Sequence, residues 1–144
     1  MRRWWRRLQR AERSVVDRWI AAAFVLVGEA EAIVQGDADH PGQLVALAVG
    51  YSMLAWRRTR PVPAGAAMFA TWIIANAFLG QLHDLQVPLI AVLTMCYAMG
   101  AYTTGREALA APFVILAGML GVILSFENQV FTDYIFPTAF AMIA

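Results

Sequence analysis

The sequence predicts an all-α protein, a polytopic transmembrane helical bundle with five complete spans and a sixth cut off at the carboxyl end. Three observations predict it. With 60% hydrophobic and 15% charged residues and a mean hydropathy of +0.58, the chain is too apolar and too poor in charge for an ordinary soluble domain. Its apolar runs, separated by short polar turns, are each long enough, or nearly so, for a helix to cross about 30 Å of hydrocarbon. Its near-zero formal charge of +1 hides a sorting of charges by sign along the chain.

Residues 1–14 form a basic segment in which Arg2, Arg3, Arg6, Arg7, Arg10 and Arg13 are interleaved with Trp4 and Trp5. Such a segment suits the anionic surface of an inner leaflet. Nucleic-acid binding is the weaker reading, because topology alone accounts for the arginines up to Arg18 in an arm joined to a hydrophobic span. The expected partner is the lipid bilayer, with no nucleic acid. Ser14 and Asp17 match a capping box loosely and set the start of span one, about 15–35. The basic start, apolar middle and Ala30-Glu31-Ala32 also resemble a secretory signal with its cleavage site. A retained helix is favoured, since the basic region is long and carries Glu12 and Asp17, and the twin arginines lack their usual continuation.

From Gly36 to Gln43 the chain is turn-rich, with Pro41 and Gly42 expected to break any helix. Span two, about 44–56, is short, so its ends should borrow Gln43 and the stem of Arg57. The loop Trp56-Arg57-Arg58-Thr59-Arg60-Pro61 follows, then span three, about 64–82, and a turn over 81–87. Span four, about 88–102, starts at a proline suited to a first helical turn. Residues 103–108 make another loop, span five covers about 110–126, and Glu127 to Asp133 is polar. A last run, 134–144, rises only about 16 Å as a helix, so the chain is expected to continue into the cytoplasm.

Charge tests this threading independently of hydropathy. With the amino terminus inside, all eleven basic residues, every one an arginine, fall on the inner side, while Asp37, Asp39, Asp84, Glu127 and Asp133 fall outside. Arg57, Arg58, Arg60 and Arg106 are the topology-determining residues, and Trp4, Trp5, Trp19 and Trp56 fall at the inner boundary. The location this implies is the plasma membrane, multi-pass, with a cytoplasmic amino terminus.

Polar groups within the apolar layer are the candidate sensing residues: Glu29, Glu31 and Asn76. Glu29 lies about 16 Å of helical rise beyond Arg18, in the outer half of the layer, where a carboxyl must face the bundle interior or find partners. Glu31 faces nearly the opposite side, on the stripe of Gln35, so the two glutamates are not expected to form a dyad. Asn76, one turn from Trp72, suits a hydrogen bond between helices, which is equally an ordinary packing role. Ala117, Gly118 and Gly121 allow close helix approach in span five. The single cysteine, Cys96, lies in an apolar run, and His40 and His83 in outer turns, so catalytic residues, metal ligands and cofactors are not expected in this chain.

Two windows are alike at a shift of 46 residues: Tyr51-Ser52-Met53-Leu54-Ala55-Trp56 leading to Arg60, and Tyr97-Ala98-Met99-Gly100-Ala101-Tyr102 leading to Arg106. Convergence of two inner helix ends explains this better than duplication. The same windows, extended through Pro61-Val62 and through Thr103-Thr104-Gly105-Arg106-Glu107-Ala108, resemble the inner loops of the membrane domain that opens actinobacterial sensor histidine kinases of the NarL type. That resemblance implies a sensing and anchoring module whose last span leads to a dimerisation and phosphoacceptor domain and an ATP-binding domain. ATP and magnesium would belong to that core, which would act as a homodimer on a cognate response regulator. Leu82-His83-Asp84 is similar to the family's phosphoacceptor core, yet it sits in an outer turn with Pro88 close behind, so the match is read as coincidence. The alternative is a free-standing small membrane protein, a carrier or an accessory subunit.

Overall fold

The computed structural model describes residues 2–35, 41–79 and 86–125, and among them every regular element is helical. The elements are α1 (Arg2–Gln35), α2 (Pro41–Ser52) continued by a 3-10 helix (Met53–Trp56), α3 (Pro61–Leu79), α4 (Gln86–Tyr102) and α5 (Arg106–Ser125). The sixth apolar run, and residues 36–40 and 80–85 with His40 and His83, lie outside the described residues.

Several boundaries differ from the sequence expectation. The basic segment is not separate from span one, because a single helix of 34 residues runs from Arg2 through Gln35. Arginine is a good helix former, and Ser14 therefore sits inside the helix instead of capping it. Pro41 opens α2, and Pro61 and Pro63 fall in the first turn of α3, where the missing N–H costs nothing. The Ala64 N–H donates to the Arg60 carbonyl at 3.0 Å, so the last arginine of the loop closes the first turn of α3. Helix α5 begins at Arg106, after Gly105 turns the chain with a positive φ of 60°, and carries Glu107 in its first turn, where the helix dipole favours an acid.

Three contacts fix alternating helix directions. Gln43, at the start of α2, donates to the Leu79 carbonyl at the end of α3 (3.0 Å). The Val87 N–H, at the start of α4, donates to Glu31 near the end of α1 (2.9 Å). At the opposite end, Arg57 and Arg58 of the α2–α3 turn meet Asp17 of α1, and Arg58 lies over the ring of Tyr102, the last residue of α4. The short α2 gains reach from its 3-10 continuation: twelve α-helical and four 3-10 residues together rise about 26 Å.

Helix α3 is central, packing on α2, α4 and α5, while α1 packs on α2, its 3-10 continuation and α4. The core gathers Leu47, Tyr51, Leu54, Met68, Phe69, Met95 and Met99. A Cβ at Gly118 would come within 2.4 Å of the Phe69 ring, so α5 lies on α3 as closely as it does because residue 118 has no side chain. The outward faces are apolar as well: Leu26, Val34, Phe78, Leu109, Phe113 and Leu124 are all exposed. Among the described residues, α3 is the helix both long and apolar enough to cross a membrane, and Val87–Tyr102 is a shorter apolar helix.

The repeated windows occupy unlike environments. Tyr51 is fully buried whereas Tyr97 is 59% exposed, and Met53 is half-buried whereas Met99 is buried. Side chains in a duplicated hairpin would share their surroundings, so the two windows are alike as helix ends and not as a repeated packing unit.

Candidate functional site

The most ordered polar cluster is at the arginine-bearing end. The 3-10 turn places it there: the Arg57 N–H donates to the Leu54 carbonyl (3.3 Å), and the Trp56 carbonyl then accepts from the N–H groups of Thr59 (3.1 Å) and Arg60 (2.9 Å). That tight turn aims Arg57 inward. Its Nε and Nη2 both donate to Oδ1 of Asp17, at 3.1 and 2.9 Å, and both side chains are buried. Arg58 brings its Nε to 3.2 Å from the same oxygen, without hydrogen-bonding alignment, and its guanidinium stands 5.5 Å from the centroid of the Tyr102 ring. One carboxylate thus ties together α1, the α2–α3 turn and, through Tyr102, the end of α4. Charge-assisted bonds in a poorly hydrated place are stronger than surface pairs, and removing one partner strands the other charge.

Of the four arginines named from the sequence, then, Arg57 and Arg58 are brought together on Asp17, whereas Arg60 and Arg106 are exposed. Sequence reasoning took Asp17 as part of a loose capping box with Ser14 and not as the partner of the arginine loop. The signal was present, as an acid inside a helix-forming run at the depth of an arginine-rich loop, but it reads equally well as part of a basic segment's mixed charge.

The second polar region lies toward the other end. Glu29 and Glu31 are both half-buried on α1. Glu31 also caps the start of α4 by accepting from the Val87 N–H, a use of a carboxylate that suits the positive end of a helix. Tyr51 packs tilted against Phe24 and edge-on to Trp72, with ring centroids 6.1 and 5.7 Å apart. A Cβ at Gly28 would fall 2.6 Å from the Tyr51 hydroxyl, so α1 rests against that ring through a glycine. The Tyr51 Oη and the Trp72 Nε1 are both buried without a hydrogen-bond partner among the described residues. Asn76 is half-buried on α3 and is not a free polar group. Ala30 and Ala32, which flank Glu31, are in the continuous helix, and Ala32 is fully buried.

Among the described residues there is no group of three or more His, Cys, Asp or Glu side chains that could hold a metal. The arrangement can hold helices in register and present charge at one end. A family model described as a domain of unknown function, DUF7134, matches residues 1–144. No curated protein and no solved structure matches the chain.

Proposed function

The chain belongs to that family across residues 1–144, and from this premise and its own residues we propose that it is the membrane-embedded sensor and anchoring module of a two-component sensor histidine kinase of the NarL type. In this reading six spans cross the plasma membrane with the amino terminus in the cytoplasm. The last span passes a packing change to a cytoplasmic kinase core that is absent from this chain. That core would supply ATP and magnesium binding, homodimerisation and phosphotransfer to a response regulator.

The observation that most supports the reading is the sorting of the bundle's ends. Arg57, Arg58 and Tyr102 meet at one end with Asp17, Glu31 and Val87 meet at the other, and apolar side chains cover the outward faces between them. Arginine at one end of a lipid-facing bundle favours the cytoplasmic side. Glu29, half-buried between the ends, is the group assigned to feel the stimulus, since an ionisable side chain at that depth must be compensated by neighbours whose packing it then influences.

Cysteine accessibility tests the threading. In a Cys96→Ser background, a cysteine replacing Asp39 should react with an impermeant maleimide on intact cells, and one replacing Arg60 only after permeabilisation. The reverse pattern would refute the topology. Reading the gene past codon 144 tests the kinase: a linker and phosphoacceptor helix supports it, and a stop codon returns the protein to the free-standing class.

A further inference from the structure

Among the described side chains, charge at the Asp17 cluster does not balance. Asp17 supplies one negative charge through a single oxygen to two guanidiniums, and Arg57 takes both of the aligned hydrogen bonds. One positive charge is left over, and it resides on Arg58. The Arg58 Nε is buried and makes no hydrogen bond, while the side chain as a whole is one-third exposed. Among the described residues the Arg58 side chain donates no hydrogen bond. The guanidinium stands over the Tyr102 ring at 5.5 Å from its centroid. A planar fork fixed on an aromatic floor, partly desolvated and short of one negative charge, matches an oxyanion that accepts two parallel bonds.

We propose that Arg58 and Tyr102 form a binding site for a phosphate oxyanion at the arginine-bearing end of the bundle. Two sources present that chemistry, an anionic phospholipid headgroup and free phosphate. The lipid source rests on the membrane reading above, and the free ion does not. A merely snorkelling arginine would need neither the aromatic floor nor the shared carboxylate, and lysine would replace it without loss.

The test uses the full chain in maltoside micelles, which contain no phosphate. Wild type and the variants Arg58→Gln, Arg58→Lys and Tyr102→Leu are titrated with short-chain phosphatidylglycerol and, separately, with inorganic phosphate, and bound species are counted by native mass spectrometry. Wild type should bind, Arg58→Gln should lose about tenfold or more in affinity, and Arg58→Lys should lose part of it because the charge stays and the fork goes. Tyr102→Leu, which leaves Asp17 untouched, should lose roughly two- to fivefold. Binding of phosphatidylglycerol alone assigns the headgroup, and equal binding of inorganic phosphate assigns the free ion. No binding by wild type overturns the site, as does equal affinity in wild type and any folded Arg58 variant. Should Arg58→Gln lose its helical circular dichroism, Arg58→Lys and Tyr102→Leu decide. Cell fractionation judges the membrane reading separately, because a chain absent from membranes can still be scored with inorganic phosphate.

Discussion

Arg57 reaches back forty residues to place two hydrogen bonds on one oxygen of Asp17, and both side chains are buried at that contact. The bond joins the middle of the longest described helix to the turn that carries Arg57, Arg58 and Arg60.

Asp17→Ala should therefore be among the most damaging single changes. It strands the Arg57 guanidinium in a place water does not reach, at a cost of about 3–5 kcal/mol. Replacing the pair together, Asp17→Leu with Arg57→Met, should recover part of that loss, because the buried Arg57 charge leaves with its partner and only the one-third-exposed Arg58 is left without the carboxylate. Unfolding of the purified protein by dodecyl sulfate titration measures both.

Two glycine-to-alanine changes should have opposite signs. At Gly118 the added methyl meets the Phe69 ring at 2.4 Å, so Gly118→Ala should destabilise by about 1–3 kcal/mol. At Gly100, on the exposed face of α4, nothing stands within 4 Å, and Gly100→Ala should stabilise by about 0.5–1 kcal/mol through helix propensity. The same titration reads the pair.

Loss of the Glu31 cap should be local. Glu31→Ala removes the acceptor of the Val87 N–H and should raise hydrogen exchange there and over the first turn of α4, with about 1 kcal/mol of stability lost. Glu31→Gln keeps an acceptor oxygen and should exchange nearly as wild type does. Uniform exchange in all three proteins would show that the cap does not hold.

The Tyr51 hydroxyl is buried without a partner among the described residues, so Tyr51→Phe should be neutral or stabilising by up to about 1 kcal/mol. A loss of stability greater than that would mean the hydroxyl is bonded after all.

Much of this arrangement was legible in the sequence, because it depends on local pattern. Apolar runs and prolines located the helices to within a few residues except at the start of α1, which begins at Arg2 and not near residue 15, and the loop of Arg57, Arg58 and Arg60 marked one shared end of the bundle. The errors were at helix starts: Pro41 was read as a breaker although a first turn accepts it, and Ser14 as a cap although the arginines before it are themselves helical. Pairings across long separations were not legible. Asp17 finds Arg57 and Glu31 finds Val87 only because α1 lies beside both the α2–α3 turn and the start of α4, and no periodicity encodes that adjacency. Glu29 and Glu31 stand out in an apolar run, but the capping role of Glu31 belongs to the helix it meets and not to its own.

The two bonds that α1 makes through Asp17 and Glu31 are fourteen residues apart, about 21 Å along the helix. Sliding α1 lengthwise by a single residue, about 1.5 Å, would stretch both at once. Swinging it about either anchor disturbs only the other. A helix clasped in this way resists piston strokes and yields to rocking, so a message carried by α1 would travel as a change of tilt.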